Sequence, residues 1–254
     1  MTIDSVEFFD LAGKSDDLRF SPHCWKTRMA LAHKGVPFST IPWRYSDKKL
    51  LAFTGQGSVP VIRHKGKGIA DSWRIALYLE DEFYDRQPLF GGSAAIALTQ
   101  FVNTWVDTVL IQTAARIVML DVHNAMLPRE QHYFRSTREK RFGMTLEELV
   151  SDKAANLEKL RLELAPLRNM RAKQPFLGGE RPMYADYCIF GMFMWVRCSS
   201  DVTLLDPSDS VYQWNEEMLD LFNGFARRAK HSGTPAAECL VHTTIEDEDR
   251  RIAT

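Results

Sequence analysis

Residues 20–35, F-S-P-H-C-W-K-T-R-M-A-L-A-H-K-G, set a Ser-Pro pair, a cysteine and a tryptophan at the head of an apolar run with helical spacing. A serine followed by proline at the first helical position is an ordinary start signal, with the hydroxyl capping exposed amides. The same place is suited to sulfur chemistry, because the positive end of a helix and added hydrogen-bond donors favour a thiolate over a thiol. Cys24 stands three residues after Ser21. A disulfide shuttle needs thiols at both positions, and Ser21 removes one, so dithiol chemistry is disfavoured. Two readings of Cys24 stay open: a small buried helix residue, which is the commoner fate, or an exposed thiol able to form a mixed disulfide. Trp25 either borders an aromatic ligand or packs in the core.

Other segments must position this stretch. Val6 to Leu11 reads as a strand, and a helix follows from Pro22 to a stop at Lys34-Gly35. Pro37 to Tyr45 alternates as a strand, and a less regular stretch leads to V59-P-V-I-R63 and K67-G-I-A70, two short strands joined by a tight turn. D71-S-W-R-I-A-L-Y-L-E-D-E-F-Y84 is helical, with Asp71 or Ser72 as N-cap. The expected order is β-α-β-α-β-β-α over residues 1–84. D85-R-Q-P-L-F-G-G-S93 is rich in turn formers and reads as a linker. Residues 94–232 carry only helical periodicity: Ala94 to Met126, Thr145 to Arg171, Ala185 to Val196 and Val211 to Lys230. The charged L127-P-R-E-Q-H-Y-F-R-S-T-R-E-K-R-F-G143 reads as a helix edge plus a loop, a solvated face rather than an anion site, since its acids interleave with its bases. The tail, 233–254, is expected to be mobile.

The 254 residues, 45% hydrophobic and 26% charged, suffice for a substantial core. Thirty-two basic residues against thirty-three acidic ones provide no global field for nucleic acid or an acidic membrane surface. Apolar stretches such as Tyr187 to Val196 fall short of the roughly 20 residues that span a bilayer, and the first residues lack the basic-then-apolar layout of a secretory signal. A cytoplasmic protein without membrane or nucleic-acid partners is expected. Four scattered cysteines lack zinc-like or disulfide-framework spacing. His33, His64, His123 and His132 have no partner at metal or triad spacing and read as structural or surface residues.

Ser-Pro at the first helix, Val-Pro before the third strand and Asp-Ser at the last helix of a β-α-β-α-β-β-α unit, followed by an all-helical half, resemble a cytosolic glutathione transferase. S21-P-H-C-W-K-T-R-M-A-L-A-H-K-G35, R63-H-K-G-K-G-I-A-D-S-W-R74 and R138-E-K-R-F-G143 are similar to the etherase-like branch of bacteria and fungi, which includes the glutathione-dependent β-aryl etherases of lignin breakdown.

The resemblance implies a thioredoxin-like domain that binds glutathione as cosubstrate, a helical domain contributing a hydrophobic acceptor site, and a homodimer. Ser21 would donate to the glutathione sulfur. Val59-Pro60 resembles the family's cis-proline pair, whose preceding residue pairs its backbone with the cysteinyl part. Ser72 and its amide would receive the γ-glutamyl carboxylate, with Asp71 helping to hold the ammonium. Asp186 resembles the buried aspartate of the core helix, although Met183 stands where relatives carry Ser or Thr, leaving the reciprocal cap incomplete. Phe101, Trp105 and Met119 are candidate walls of an aromatic acceptor pocket. The activity implied is attack of the thiolate on an aromatic electrophile, with β-aryl ether cleavage as the sharpest form. Other electrophiles of secondary metabolism or detoxification, and non-catalytic binding of glutathione or aromatic ligands, are the rival readings.

Overall fold

A computed structural model describes residues 5–233. The expected mobile tail therefore lies, but for Gly233, outside the described residues. Strands β1 (Val6–Leu11), β2 (Phe38–Trp43), β3 (Val61–His64) and β4 (Lys67–Ala70) form one sheet in the order β2-β1-β3-β4. β1 runs parallel to β2, in register from Val6↔Phe38 to Leu11↔Trp43, and antiparallel to β3. The parallel pair requires a crossover, and α1 (Pro22–Lys34) supplies it. Gly35, at φ 58°, ends that helix: its N–H returns to Ala32 and Leu31 in a left-handed turn that a side chain would strain.

Between β2 and β3 the expected α-helix is a 3-10 segment, Tyr45–Thr54, with a non-helical break at Asp47. Asp47 spends its carboxylate on the Arg44 N–H at 3.0 Å, and Trp43 Nε1 donates to the Asp47 carbonyl at 3.1 Å. These bonds tighten the turns away from α geometry. The third strand opens two residues later than expected, at Val61, because Val59 and Pro60 form a cis peptide outside the ladder. α2 (Ser72–Glu82) closes the unit, with Asp71 as its N-cap accepting from Trp73 N and Arg74 N.

The second half is all helical: α3 (Ser93–Trp105), a π turn (Val106–Leu110), α4 (Ile111–Asn124), α5 (Pro128–Phe142), α6 (Leu146–Leu149), α7 (Lys153–Glu163), α8 (Ala165–Arg171), α9 (Tyr184–Ser199) and α10 (Ser210–Gly224). Two expectations are corrected here. The charged stretch after Leu127 is a fifteen-residue helix, α5, opened by Pro128 and stopped by Gly143 at φ 70°. The run from α3 through α4, Ser93–Asn124, is long and apolar enough to cross a membrane by length and composition alone. Counting uninterrupted apolar stretches missed it because Gln100, Asn103 and Asp107 punctuate the run. Its inner face, Val106, Leu110, Ala114, Ile117 and Val118, is fully buried in the core.

The helical half meets the sheet half through α9, nearly all of it buried, which lies against α1. Gly191 makes that approach possible: a Cβ there would stand 2.4 Å from the carbonyl oxygen of Pro22. The stretch 85–93 is likewise anchored. Leu89 and Phe90 are buried, Glu80 accepts from their amides at 2.8 and 3.2 Å, and Tyr184 N–H binds the Leu89 carbonyl at 3.0 Å. Asp186 ties the start of α9 to its surroundings, accepting from Leu177 N (2.8 Å), Gly178 N (3.1 Å), Met183 N (3.0 Å) and Trp214 Nε1 (3.3 Å). Its half of the reciprocal cap is thus present despite Met183. Burial pushes its carboxyl up from the usual range, against the pull of those donors.

Candidate active site

A cavity of about 300 Å³ lies where the start of α1 faces α4 and α5. From the sheet side it is lined by Leu11, Phe20, Ser21, Pro22, His23, Trp43, Tyr45, Ser58 and Val59. From the helical side come Ile111, Gln112, Ala115, Met119 and Val122 of α4, Phe134, Arg138, Arg141 and Phe142 of α5, and Trp195 of α9. Six of these are aromatic, and the lining contains no carboxylate.

Ser21 is buried, with only 5% of its surface exposed, and caps α1: its Oγ accepts from Cys24 N at 3.3 Å and its carbonyl from Trp25 N at 3.0 Å. Accepting leaves the hydroxyl hydrogen free to be donated. Proline at the first helical position has no N–H, and the His23 amide, next in line, has no carbonyl one turn back within α1. The helix therefore presents a donor and a positive dipole end beside Ser21.

Val59 shares the cavity with Ser21, and its N–H and C=O make no hydrogen bond among the described residues. Pro60, Asp71 and Ser72 continue from it along the same edge. Asp71 N–H binds the Pro60 carbonyl at 3.2 Å, and Val61 pairs with Ala70 across β3 and β4. Asp71 holds a positive φ of 81°, uncommon for a residue with a side chain, and the double cap from its Oδ1 to Trp73 N (3.1 Å) and Arg74 N (3.0 Å) sustains it. Ser72 is buried, and its carbonyl is held by the Tyr184 hydroxyl at 2.8 Å. Its own hydroxyl has no partner among the described residues. The structure thus gathers Ser21 and Val59 in the cavity lining, while Pro60, Asp71 and Ser72 lie outside it, joined to Val59 through the chain and the Asp71–Pro60 hydrogen bond.

Cys24 points inward. It is completely buried, and burial pushes its thiol well above the usual range, with the Asp10 charge adding to the effect. Trp25 is core as well: 1% exposed, its Nε1 donating to the Arg19 carbonyl at 2.7 Å. Of the three expected wall residues only Met119 lines the cavity. Phe101 is 73% exposed on the outer face of α3, and Trp105 is half-buried elsewhere. His33 and His64 are bonded to tyrosines, His33 Nδ1 to Tyr187 Oη at 2.6 Å and His64 Nδ1 to Tyr78 Oη at 2.8 Å.

Sequence reasoning missed three residues of the cavity with polar chemistry. His23 stands two residues from Ser21, its Nδ1 3.8 Å from Asp107 Oδ1. Desolvation first, then the neighbouring Lys26 cation, push its imidazole pKa down to about 4 against the pull of Asp107, so it is neutral at pH 7. Arg138 and Arg141 fell in a stretch read as a helix edge plus a loop with a solvated face; in the full helix α5 an i, i+3 spacing places both on one face. Arg138 lies over the rings of Phe134 (4.5 Å) and Tyr45 (5.4 Å) and donates to Tyr45 Oη at 3.0 Å. Burial, its largest influence, keeps the Tyr45 phenol protonated.

Comparison with known proteins supports the same picture. Residues 20–82 match the glutathione S-transferase N-terminal domain family and residues 97–220 the glutathione S-transferase C-terminal domain family. The glutathione S-transferase-like protein ustS of Aspergillus flavus is 27% identical over 89% of both chains. A glutathione S-transferase of Ceriporiopsis subvermispora, solved in complex with glutathione, aligns at a TM-score of 0.72 and 26% identity over 86% of this chain and 96% of its own. Glutathione transferase GSTFuA3 of Phanerochaete chrysosporium shares the fold at a TM-score of 0.72 and 24% identity, over 95% of this chain and all of its own. The four-stranded sheet with its helices is thus the thioredoxin-like half, the helical bundle is the second half, and the chain belongs to the glutathione S-transferase superfamily.

Proposed function

We propose that the chain is a glutathione transferase that activates the glutathione thiolate at Ser21 and directs it at a hydrophobic aromatic electrophile. The observation that carries this reading is a single cavity in which a helix-capping serine with a free hydroxyl hydrogen faces an aromatic wall from the helical half. Residues 1–84 form the glutathione-binding unit, 85–93 the linker and 94–232 the unit holding the acceptor. Glutathione lies along the Val59–Ser72 edge, as befits a relative solved with that ligand. Its cysteinyl backbone pairs with the unbonded N–H and C=O of Val59 beside Pro60 as a short added strand. Its γ-glutamyl carboxylate meets the Ser72 hydroxyl and amide at the start of α2, and the free Oδ2 of Asp71 faces the ammonium.

The free thiol, with a pKa of about 8.5, is mostly protonated at neutral pH. A hydrogen bond from Ser21 and the dipole of α1 stabilise the anion, while the cavity fixes sulfur and carbon at reacting distance. Ser21 is a donor here, not a nucleophile, and Cys24 takes no part. In the etherase form the thiolate attacks the carbon beside a ketone. The C–S bond forms, the C–O bond breaks, and the phenolate leaves with its electron pair and takes up the proton that the thiol released.

The chain acts in the cytosol as a homodimer. The outer face of α3, where Leu98 and Phe101 are 70% and 73% exposed, is the surface a second copy covers.

Incubation with glutathione and 1-chloro-2,4-dinitrobenzene, and separately with a fluorogenic β-aryl ketone ether, tests the reading. Thioether formation with the first substrate and phenol release from the second are expected. Binding of glutathione with neither product would overturn the transferase reading, and thioether without phenol would confine the failure to the etherase form.

A further inference from the structure

The two guanidinium groups of the cavity have no ion-pair partner among the described residues, although acids surround them in sequence. Glu139, next to Arg138, is turned away: its Oε1 accepts from Arg135 at 3.0 Å and from Leu146 N at 3.2 Å. Glu130 is buried and holds Ser46 N at 3.1 Å. Arg138 instead bonds neutral oxygens, those of Tyr45 and Thr137, and Arg141 reaches only Gln112 Oε1 at 3.3 Å. Neither meets a carboxylate among the described residues. Two acids near His23, Asp107 and Asp71, lie outside the lining; Asp107 is held by Lys26 Nζ at 2.7 Å, and Asp71 caps α2. With His23 neutral, the residues lining the cavity carry two positive charges and no negative one, beside six aromatic rings.

We propose that the acceptor is an anionic aromatic compound, an aryl ring bearing a carboxylate, and that Arg138 and Arg141 select it. This inference rests on the transferase reading for its reaction but not for its recognition. The ring fills the space among Trp43, Phe134 and Trp195, and the carboxylate lies toward the arginines, which present fork-shaped donors suited to it. Arg138 is held in place by its stacking on Phe134 and Tyr45, so little side-chain freedom remains to be lost on binding. Glutathione also carries carboxylates. Both arginines, however, belong to α5 of the helical half, whereas Val59, Asp71 and Ser72 belong to the sheet half.

The probe pair is 4-chloro-3-nitrobenzoate and its methyl ester, which differ at the recognised end in the charge and one methyl group. Binding to the intact protein is measured by equilibrium dialysis, without requiring turnover. The acid is expected to bind at least tenfold more tightly than the ester at low salt, with the preference shrinking as salt rises. In Arg138→Gln, Arg141→Gln and the double variant, each checked for its melting transition, the preference should fall stepwise to about twofold or less.

Equal binding of acid and ester by the wild-type protein would overturn the proposal. So would a preference that survives in the double variant, or a double variant whose loss appears in glutathione affinity alone. Because Arg138 braces Tyr45, Arg141→Gln, at an exposed position, tests the proposal even if Arg138→Gln fails to fold. Absence of thioether with the acid preference intact would count against the transferase reading only.

Discussion

Lys26 Nζ lies 2.7 Å from Asp107 Oδ1 and 2.8 Å from Asn103 Oδ1, although Lys26 belongs to α1 and both partners to the helical half. The ammonium is completely buried, and Asp107 sits on the π turn that interrupts the long helix. One extra residue in that turn re-aims the carboxylate toward α1, as such bulges do. This pair binds the two halves together directly behind the cavity, and it sets the charge that His23 feels.

Removing the acid should therefore cost more than removing the base. Asp107→Ala leaves a buried ammonium with a single neutral partner and is expected to lower stability by about 2 kcal/mol, less than the 3–5 of a fully buried pair because Asp107 is partly exposed. Lys26→Met, which fills the same space without a charge, should cost less. Urea denaturation of both variants checks the order, and a larger loss in Lys26→Met would contradict it.

Gly191 offers a second structural test. Alanine there drives a methyl against the Pro22 carbonyl and the Lys26 side chain, where a Cβ would sit 2.4 and 3.2 Å away. A backbone atom cannot rotate aside, so α9 and the start of α1 must separate. Destabilisation of about 1–3 kcal/mol is expected, together with a fall in conjugation rate greater than that of a comparably destabilised variant far from α1. Thermal melts beside initial rates measure both.

Cys24 should be chemically silent. Burial keeps its thiol protonated and out of reach, as it does for Cys188 and Cys198, whose thiols burial pushes up to about 12. Mass-spectrometric mapping after alkylation should find these three unmodified in the native protein and modified once urea is added. Cys24→Ala should conjugate glutathione within about threefold of the parent rate. Rapid native labelling of Cys24 would revive the mixed-disulfide alternative.

The helix that presents Arg138 and Arg141 is held by Arg135, which grips both oxygens of Glu147 at 2.8 and 2.9 Å. That grip pushes the Glu147 carboxyl down to about 2 from an ordinary value of 4.5. A lowered folded-state value means that the contribution is complete above about pH 4.5 and is lost as pH falls toward 2. Both side chains are solvated, so the effect on stability is small and weakened by salt. Carboxyl titration by NMR should show the Glu147 value return toward 4.5 in Arg135→Gln, and no change there would contradict the pairing.

Much of the fold was legible because its signals are local: Ser-Pro and Lys-Gly bracket α1, alternation marks β1 and β2, and Asp71 caps α2. The 3-10 turns after β2 were not, since they follow from the Asp47 carboxylate and a tryptophan N–H rather than from periodicity. α5 escaped because its apolar residues are few and its charged residues form no polar face distinct from a buried one. Of the site, Ser21, Val59 and Asp71-Ser72 are readable as motif positions. His23, Arg138 and Arg141 join them only through a cavity between halves, and no sequence spacing records such a meeting. Phe101 illustrates the converse, an aromatic on a periodic helix whose buried or open face depends on how the helices pack.

The role of Ser21 is tested most directly by titrating the thiol of bound glutathione through its ultraviolet thiolate absorbance, in the parent protein and in Ser21→Ala. The parent should bring the thiol at least one unit below its value of about 8.5 in water, and Ser21→Ala should raise it again while glutathione still binds. Loss of the cap alone would cost about 1 kcal/mol of stability without moving that titration. An unchanged thiol pKa in Ser21→Ala would contradict the assignment and leave Ser21 only the start of a helix.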